Sequence, residues 1–495
     1  MRYIVLIFFL FSGCMVGPKY QAPEVAMPDA FEESQAQNET DEDLFQWWKQ
    51  FNDPVLDELI TEALHSNYDL RIAIEKIEQT RAQYRIERSH LWPEIDLNAT
   101  ATRTRISQNL FPGPAAAAAA APAASTGGSF LPGFLNIFQI GFDAIWELDF
   151  FGKFRHAKKA AHYVWESTKE DADSVMISLI SEVAVNYITL RAIQQKIQLQ
   201  QAKVSADEQE LAIAADLYEI GIDNELQLTS LISMLETDRA ALPVLETSFK
   251  QTVYALAYLL GAQPEGLIER FEDVYPIPSS SGKVPVGLPS DLLRRRPDVR
   301  SAERQLAAAT EQIGAAIADY FPHIALTGIS LGGGNKIGSS AGFESNKLNE
   351  LFKSASRMFS IGVGLNWDIL DFGRVRGQVD VNKSLERQAL LTYEQTVIGS
   401  LKDVESALVA YFEEEKRLDS LQQKVDAERR SLEIMLDLYE VGLANEIQVL
   451  ETKRSLIDSE SQLVESEQSL AGDLIAVYKA IGGNWTTEPS IEPAS

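Results

Sequence analysis

Two hydrophobic periods share this chain. From Phe138 to Asp149, Phe138, Ile140, Phe142, Ala144, Trp146 and Leu148 point one way, and Gln139, Gly141, Asp143, Glu147 and Asp149 the other. From Phe359 to Ile369 the alternation is cleaner, with Phe359, Ile361, Val363, Leu365, Trp367 and Ile369 on one face. Ile95 to Thr102 alternates as well, and Ile324 to Leu331 loses its register near Gly328, as a bulge would make it do. A period of two predicts strands over about 95–105, 136–150, 323–331 and 358–370. Elsewhere the period is helical. No proline falls between Pro132 and Pro243, or between Pro322 and Pro489, and helical patterning runs over about 155–218 and 376–439. About 64 residues rising 1.5 Å each make a helix of roughly 100 Å. No globular core is that long, so such helices must pack sideways against one another. Gly221 and Gly442 stand where helices end, and Asn224 and Asn445 where the returning helices begin.

The chain is written twice. Arg71, Ala73, Gln83, Pro93, Ile95 and Leu97 recur at constant spacing as Arg300, Ala302, Gln312, Pro322, Ile324 and Leu326. Trp146-Glu147 and Phe151-Gly152-Lys153 recur as Trp367-Asp368 and Phe372-Gly373-Arg374. Leu217-Tyr218-Glu219-Ile220-Gly221 recurs as Leu438-Tyr439-Glu440-Val441-Gly442. Three blocks in one order mean a duplicated structural unit. The organisation predicted is a signal peptide (1–13), a lipidated tether (14–43), a first repeat (44–273), a linker (274–290), a second repeat (291–482) and a tail (483–495). Residues 111–133, with Ala115 to Ala121, and the Gly/Ser-rich 332–357 read as loops.

Strands of this length suit a membrane barrel, with apolar residues to lipid and Asp143, Glu147 and Asp368 to the lumen. Beyond the N-terminus no stretch holds about 18 uninterrupted apolar residues, so the spanning elements are expected to be strands. Four strands cannot close a barrel, which needs about eight or more. The chain must therefore oligomerise: two copies supply eight strands and three supply twelve, and periodicity alone leaves both open.

Composition narrows the chemistry. A net charge of −28 argues against nucleic-acid binding, which needs a basic surface. One cysteine excludes an internal disulfide, and the five histidines show no metal-ligand spacing. Gly328-Ile329-Ser330-Leu331-Gly332 fits GxSxG but lies in a predicted strand rather than a strand-to-helix elbow. No catalytic constellation and no soluble cofactor are expected. Arg2, the apolar run Tyr3 to Phe11, and Ser12-Gly13 before Cys14 read as an export signal with an acylation site, the thiol receiving diacylglycerol and the new N-terminus an acyl chain. One such anchor holds only modestly, so further membrane contacts are expected.

At Cys14 with Val16-Gly17-Pro18, Trp47-Trp48, Asp53-Pro54, Gly287-Leu288-Pro289 through Arg296-Pro297-Asp298, and Tyr478-Lys479-Ala480-Ile481-Gly482-Gly483, the chain resembles outer membrane efflux channels of the TolC/OprM type, in their lipoprotein branch. The resemblance implies a mostly α fold with a membrane β-barrel: a homotrimer with a twelve-stranded barrel, a periplasmic tunnel of helices and an equatorial region. It implies docking to a periplasmic adaptor and an inner-membrane resistance-nodulation-division transporter, and passive exit of drugs or other small toxic molecules. It places Ile447, Gln448, Glu451 and Arg454 at a periplasmic gate, and the turns at Gly221, Asn224, Gly442 and Asn445 at the adaptor. A type I protein secretion channel and a periplasmic coiled-coil scaffold without a pore are the rival readings.

Overall fold

The computed structural model describes residues 15–28, 30–32, 46–105, 134–222, 224–279, 295–326 and 339–483. Cys14, the signal segment, the alanine-rich loop, the GxSxG segment, most of the linker and nearly all of the tail lie outside the described residues. The chain divides into two compact units, one of residues 1–21, 80–164 and 306–388, the other of 22–79, 165–305 and 389–495.

The first unit holds the sheet. β1 (Glu94–Thr104) and β2 (Leu135–Leu148) form an antiparallel hairpin running from Glu94↔Ile145 to Thr104↔Leu135. On its other edge β2 pairs with β3 (His323–Leu326) and β4 (Ser339–Ser345), both antiparallel to it. Leu326 lies opposite Trp146 and Ser339 opposite Ala144, so β3 and β4 are two parts of one strand line. β5 (Arg357–Ser360) pairs with β4, and β6 (Val363–Asn366) with β3, completing a fourth line. Among the described residues the outer edges of β1 and of β5–β6 have no partner strand. Phe359, Ile361, Val363, Leu365 and Ile369 are all more than 60% exposed, an apolar face that the chain alone does not cover.

Two expectations are corrected here. Residues 339–345, read as loop, are strand. Their small residues carry no alternation; pairing is decided by close backbone approach, since a Cβ added to Gly342 would lie 2.4 Å from the Ile140 carbonyl oxygen and 2.6 Å from the Gly141 Cα. The strand expected over 358–370 is instead two short strands, broken at Ile361-Gly362. Trp367 leaves the ladder, and its indole N–H donates to the Tyr320 carbonyl at 3.0 Å. Trp146 does the same to Leu91 at 3.1 Å.

The helices are α1 (Pro54–Ser66), α2 (Tyr68–Ser89), α3 (Lys153–Glu219), α4 (Glu225–Leu259), α5 (Pro297–Ala318), α6 (Arg374–Glu440) and α7 (Glu446–Ile481). Both α3 and α6 have 67 residues. Part of α3 reaches a mean hydropathy of 1.4 over an 18-residue window, long and apolar enough to cross a membrane, but 67% of that window is buried inside the protein. The second unit's core uses this apolarity: Leu179, Ile180, Val183 and Tyr187 of α3 pack with Leu56, Leu59 and Ile60 of α1 and with Leu256, Ile475 and Tyr478.

The tryptophan and Asp-Pro motifs belong to this core. Trp47 stacks on Tyr478 with ring centres 5.3 Å apart. Asp53 caps α1 by accepting from the Val55 and Leu56 amides, and its other oxygen accepts from the Tyr187 hydroxyl at 2.6 Å. Arg191, 2% exposed, donates to that hydroxyl, to Gln194 and to the Asp273 carbonyl. Burial raises the Tyr187 pKa, so the hydroxyl stays protonated as a donor.

Candidate channel site: helix tips, constriction and sheet interior

The two tip turns are built alike. Gly221 and Gly442 adopt φ of +75° and +76°. Behind them the Ile222 amide donates to Leu217 at 2.9 Å and the Leu443 amide to Leu438 at 2.8 Å, satisfying carbonyls at the helix end. A Cβ at either glycine would meet nothing within 4 Å, so the left-handed backbone alone requires glycine there. Asn224 then caps α4 through the Gln227 amide at 2.9 Å. Asn445 caps α7 through the Gln448 amide, while the Gln448 side chain accepts from the Asn445 amide at 3.0 Å. Beside these turns Ile220, Ile222, Leu226, Val441 and Leu443 are all at least 67% exposed. These aliphatics lie in the tip turns that the resemblance assigns to the adaptor, flanking the repeated glycine.

Within one chain the residues assigned to the gate have different surroundings. Ile447 is half-buried, and Gln448 is exposed and spent on the cap. Glu451 is exposed on the second turn of α7. Arg454 turns towards α3, with its guanidinium 3.3 Å from Asp207 and 3.8 Å from Glu210, both almost fully buried. Sequence reasoning missed Asp207 and Glu210; nothing in a single-chain pattern separates them from solvated acids on the same helix.

The same layer contains Lys203, which bridges Asp238 of α4 at 3.2 Å and Asp458 of α7 at 2.9 Å. Burial pushes the Asp207 carboxyl up to about 6; its hydrogen bond with Asp238 adds to this, and Arg454 opposes it. Glu210 is raised as well, by burial and then against the pull of Arg454. Asp238 is held below the usual range: burial works against this, and hydrogen bonds from Asp207, Gln200 and Lys203 outweigh it.

In the sheet, Asp143 accepts from the Asn98 amide group at 2.6 Å. Glu147 pairs with His323 at 2.7 Å, His323 lies 3.5 Å from Asp319, and Lys153 pairs with Asp319 at 2.8 Å. Asp368 pairs with Arg374 at 2.7 Å. Each acid expected at the lumen therefore has a hydrogen-bonding or charged partner. Among the described residues no cluster of three or more His, Cys, Asp or Glu could hold a metal ion.

A family described as outer membrane efflux protein matches residues 59–262 and 288–483. The chain belongs to the outer membrane efflux protein family. Within it, the chain is 31% identical over 485 residues to the solvent efflux pump outer membrane protein SrpC of Pseudomonas putida, covering 96% of this chain and 97% of that one. It is 28% identical to a nodulation protein T of Rhizobium leguminosarum bv. trifolii, covering 96% of each. Among solved structures it resembles the outer-membrane channel OprN, with a TM-score of 0.80 at 28% identity over 95% of this chain and all of that one. The open state of the Neisseria gonorrhoeae MtrE outer membrane channel gives 0.79 at 27% identity, covering 95% and 98%. Membership accounts for the duplication, the long helix pairs and the sheet together.

Proposed function

We propose that this chain is the outer-membrane exit duct of a tripartite efflux pump and works as a homotrimer. The observation that carries the reading is a sheet of four antiparallel strand lines whose outer edges have no partner among the described residues, on a duplicated chain with two 67-residue helices. Open strand edges are not tolerated in hydrocarbon, so further copies must close the barrel. Eight strands enclose a lumen that side chains fill, whereas twelve leave room for a bore. The relatives named for solvent, toluene and antibiotic efflux support small toxic organic molecules as cargo.

The exposed aliphatics at Gly221–Asn224 and Gly442–Asn445 suit a periplasmic adaptor, which couples the duct to an inner-membrane resistance-nodulation-division transporter. Transport through the duct is passive and has no catalytic step. At the gate, Glu451 is the carboxylate free to face an axis; three copies would repel one another and attract cations. Ile447 and Gln448 shape the same turn, and Arg454 braces it from behind.

Acylation of Cys14 is part of this reading. The next residues are seated at the end of β2: the Val16 amide donates to Phe151, and its carbonyl accepts from His156 at 3.0 Å. That seat supports a lipid attached one or two residues earlier, at the rim of the sheet.

Two measurements test the proposal. Native mass spectrometry in detergent should give three copies, and the protein in a planar bilayer should give discrete single-channel currents; a monomer without conductance would overturn it. Crosslinking of intact envelopes should recover an adaptor with a proton-driven transporter. An adaptor with an ATP-driven exporter would instead move the cargo to proteins.

A further inference from the structure

The two repeats meet inside one chain, and that meeting can be read as a template for how copies meet. Residues of the hairpin end recur 221 positions later (Trp146 and Trp367, Phe151 and Phe372), and those of the preceding strand 229 positions later (Pro93 and Pro322, Leu97 and Leu326). The equivalence holds in space, because the indoles of Trp146 and Trp367 donate to Leu91 and Tyr320, which are themselves equivalent. Between the repeats, β2 pairs with β3 as Trp146↔Leu326, Glu147↔Ala325 and Leu148↔Ile324. The equivalents of these two edges are the β6 line and β1, the two edges left open among the described residues.

We infer that in the barrel the β6 line of one copy is extended past Asn366 through residues 367–369, which pair with β1 of the next copy in the transferred register, Trp367↔Leu97, Asp368↔Asp96 and Ile369↔Ile95. This rests on the homotrimer reading and adds the seam to it. The faces agree: Trp367 and Ile369 meet Leu97 and Ile95 on the apolar side, and Asp368 meets Asp96 on the polar side.

Two further observations fit the same seam. Within the chain, Phe151 stacks on Phe321 with ring centres 4.5 Å apart. Their equivalents, Phe372 and Trp92, are 92% and 67% exposed. Each is a large ring without cover in one copy, and the transferred contact stacks one on the other.

The charged cluster transfers too. At the seam inside the chain stand Glu147, Lys153, Asp319 and His323. Their equivalents are Asp368, Arg374, His90 and Glu94. The strand carboxylate and the Lys/Arg cation keep their places, while the carboxylate and histidine four residues apart exchange theirs. Each seam thus holds two carboxylates, one permanent cation and one histidine in these four places, and the seam between copies adds a third carboxylate, Asp96, where the seam inside the chain has Ala325. A set kept in kind, with two members swapped, points to a cluster assembled between copies: Asp368 and Arg374 from one, His90 and Glu94 from the other.

The test is a disulfide ruler in the full chain in outer membranes. Directly opposed residues have Cα atoms about 4.5–5.5 Å apart, within disulfide reach. Asp96→Cys with Asp368→Cys should oxidise to linked dimers and trimers in most of the protein. Asp96→Cys with Asn366→Cys, on the same face but two residues off, should link several-fold less. If the shifted pair links as well or better while the native mass is that of a trimer, the register is wrong and the homotrimer stands. If the native mass is that of a monomer, the homotrimer fails and the seam with it. In a separate arm, Phe372→Ala and Trp92→Ala should each lower the temperature at which the oligomer dissociates in SDS, and the double variant should fall no further than either single. Additive losses would break the ring contact.

Discussion

At the scale of single residues, the buried acids beside Arg454 make the sharpest predictions. Asp207 titrates near 6 in the folded chain against an ordinary 3.8. The folded state therefore holds a proton that the unfolded state has released between these values. Its stabilising share is complete below pH about 4 and is lost as pH rises through about 6. Hydrogen-exchange protection along the last third of α3, taken relative to the intrinsic exchange rate at each pH, should fall over that window in the wild type, and Asp207→Asn should flatten the dependence. Arg454→Ala leaves two acids buried without their cation. It should destabilise the α3–α7 contact by about 3–5 kcal/mol, far more than an exposed ion pair would. Exchange rates of α7 amides near neutral pH would check this, and a loss under about 1 kcal/mol would contradict the burial argument. Asn445→Ala should cost about 1 kcal/mol, the usual worth of a helix cap, and should release Gln448 from its fold-back contact, visible as fraying of the first turn of α7.

At the scale of elements, helices and strands differ in what holds them. A helix closes its hydrogen bonds within itself, so period, absence of proline, terminal glycine and capping asparagine were enough to find α3 and α6 to within about two residues, the usual ambiguity of a helix end. A strand depends on its neighbour. β4 exists because Gly342 can lie against Gly141, and no alternation announces it. Gly342→Val should therefore detach β4 from β2 while leaving the β1–β2 hairpin intact. Infrared spectra should lose strand signal, and protease should gain access to residues 339–345. Unchanged spectra and protection would show that the close approach is not limiting.

At the scale of the whole molecule, the strand edges unpaired among the described residues and the exposed apolar face leave a single copy incomplete, and in the proposed duct the constriction is a property of the assembly. In the proposed duct Glu451 carries the charge there, with Gln448 beside it. Replacing both with alanine should raise single-channel conductance in a planar bilayer and weaken the effect of added divalent cations. Equal conductance would move the constriction to another layer of the helices. Arg454→Ala should also raise it, by loosening the brace rather than by removing a lining group. Its increase should therefore come with faster exchange along the α7 turns packed on α3, whereas that of the Gln448 and Glu451 variant should come with no more than fraying of the first turn, where Gln448 belongs to the cap.

Local order was already determined in the amino-acid sequence: two periods, a duplication, helix ends, and the family to which these motifs belong. Each rests on neighbours within a few turns of chain, or on a pattern compared with itself. Tertiary structure alone decided which groups face one another. It folded Gln448 back onto its cap, aimed Arg454 at Asp207 and Glu210, continued the third strand line through a stretch without pattern, and buried the apolar part of α3 in a core. These outcomes depend on which side chain reaches across from an element far away in the chain, and on whether water is excluded once it arrives. A linear pattern carries neither quantity.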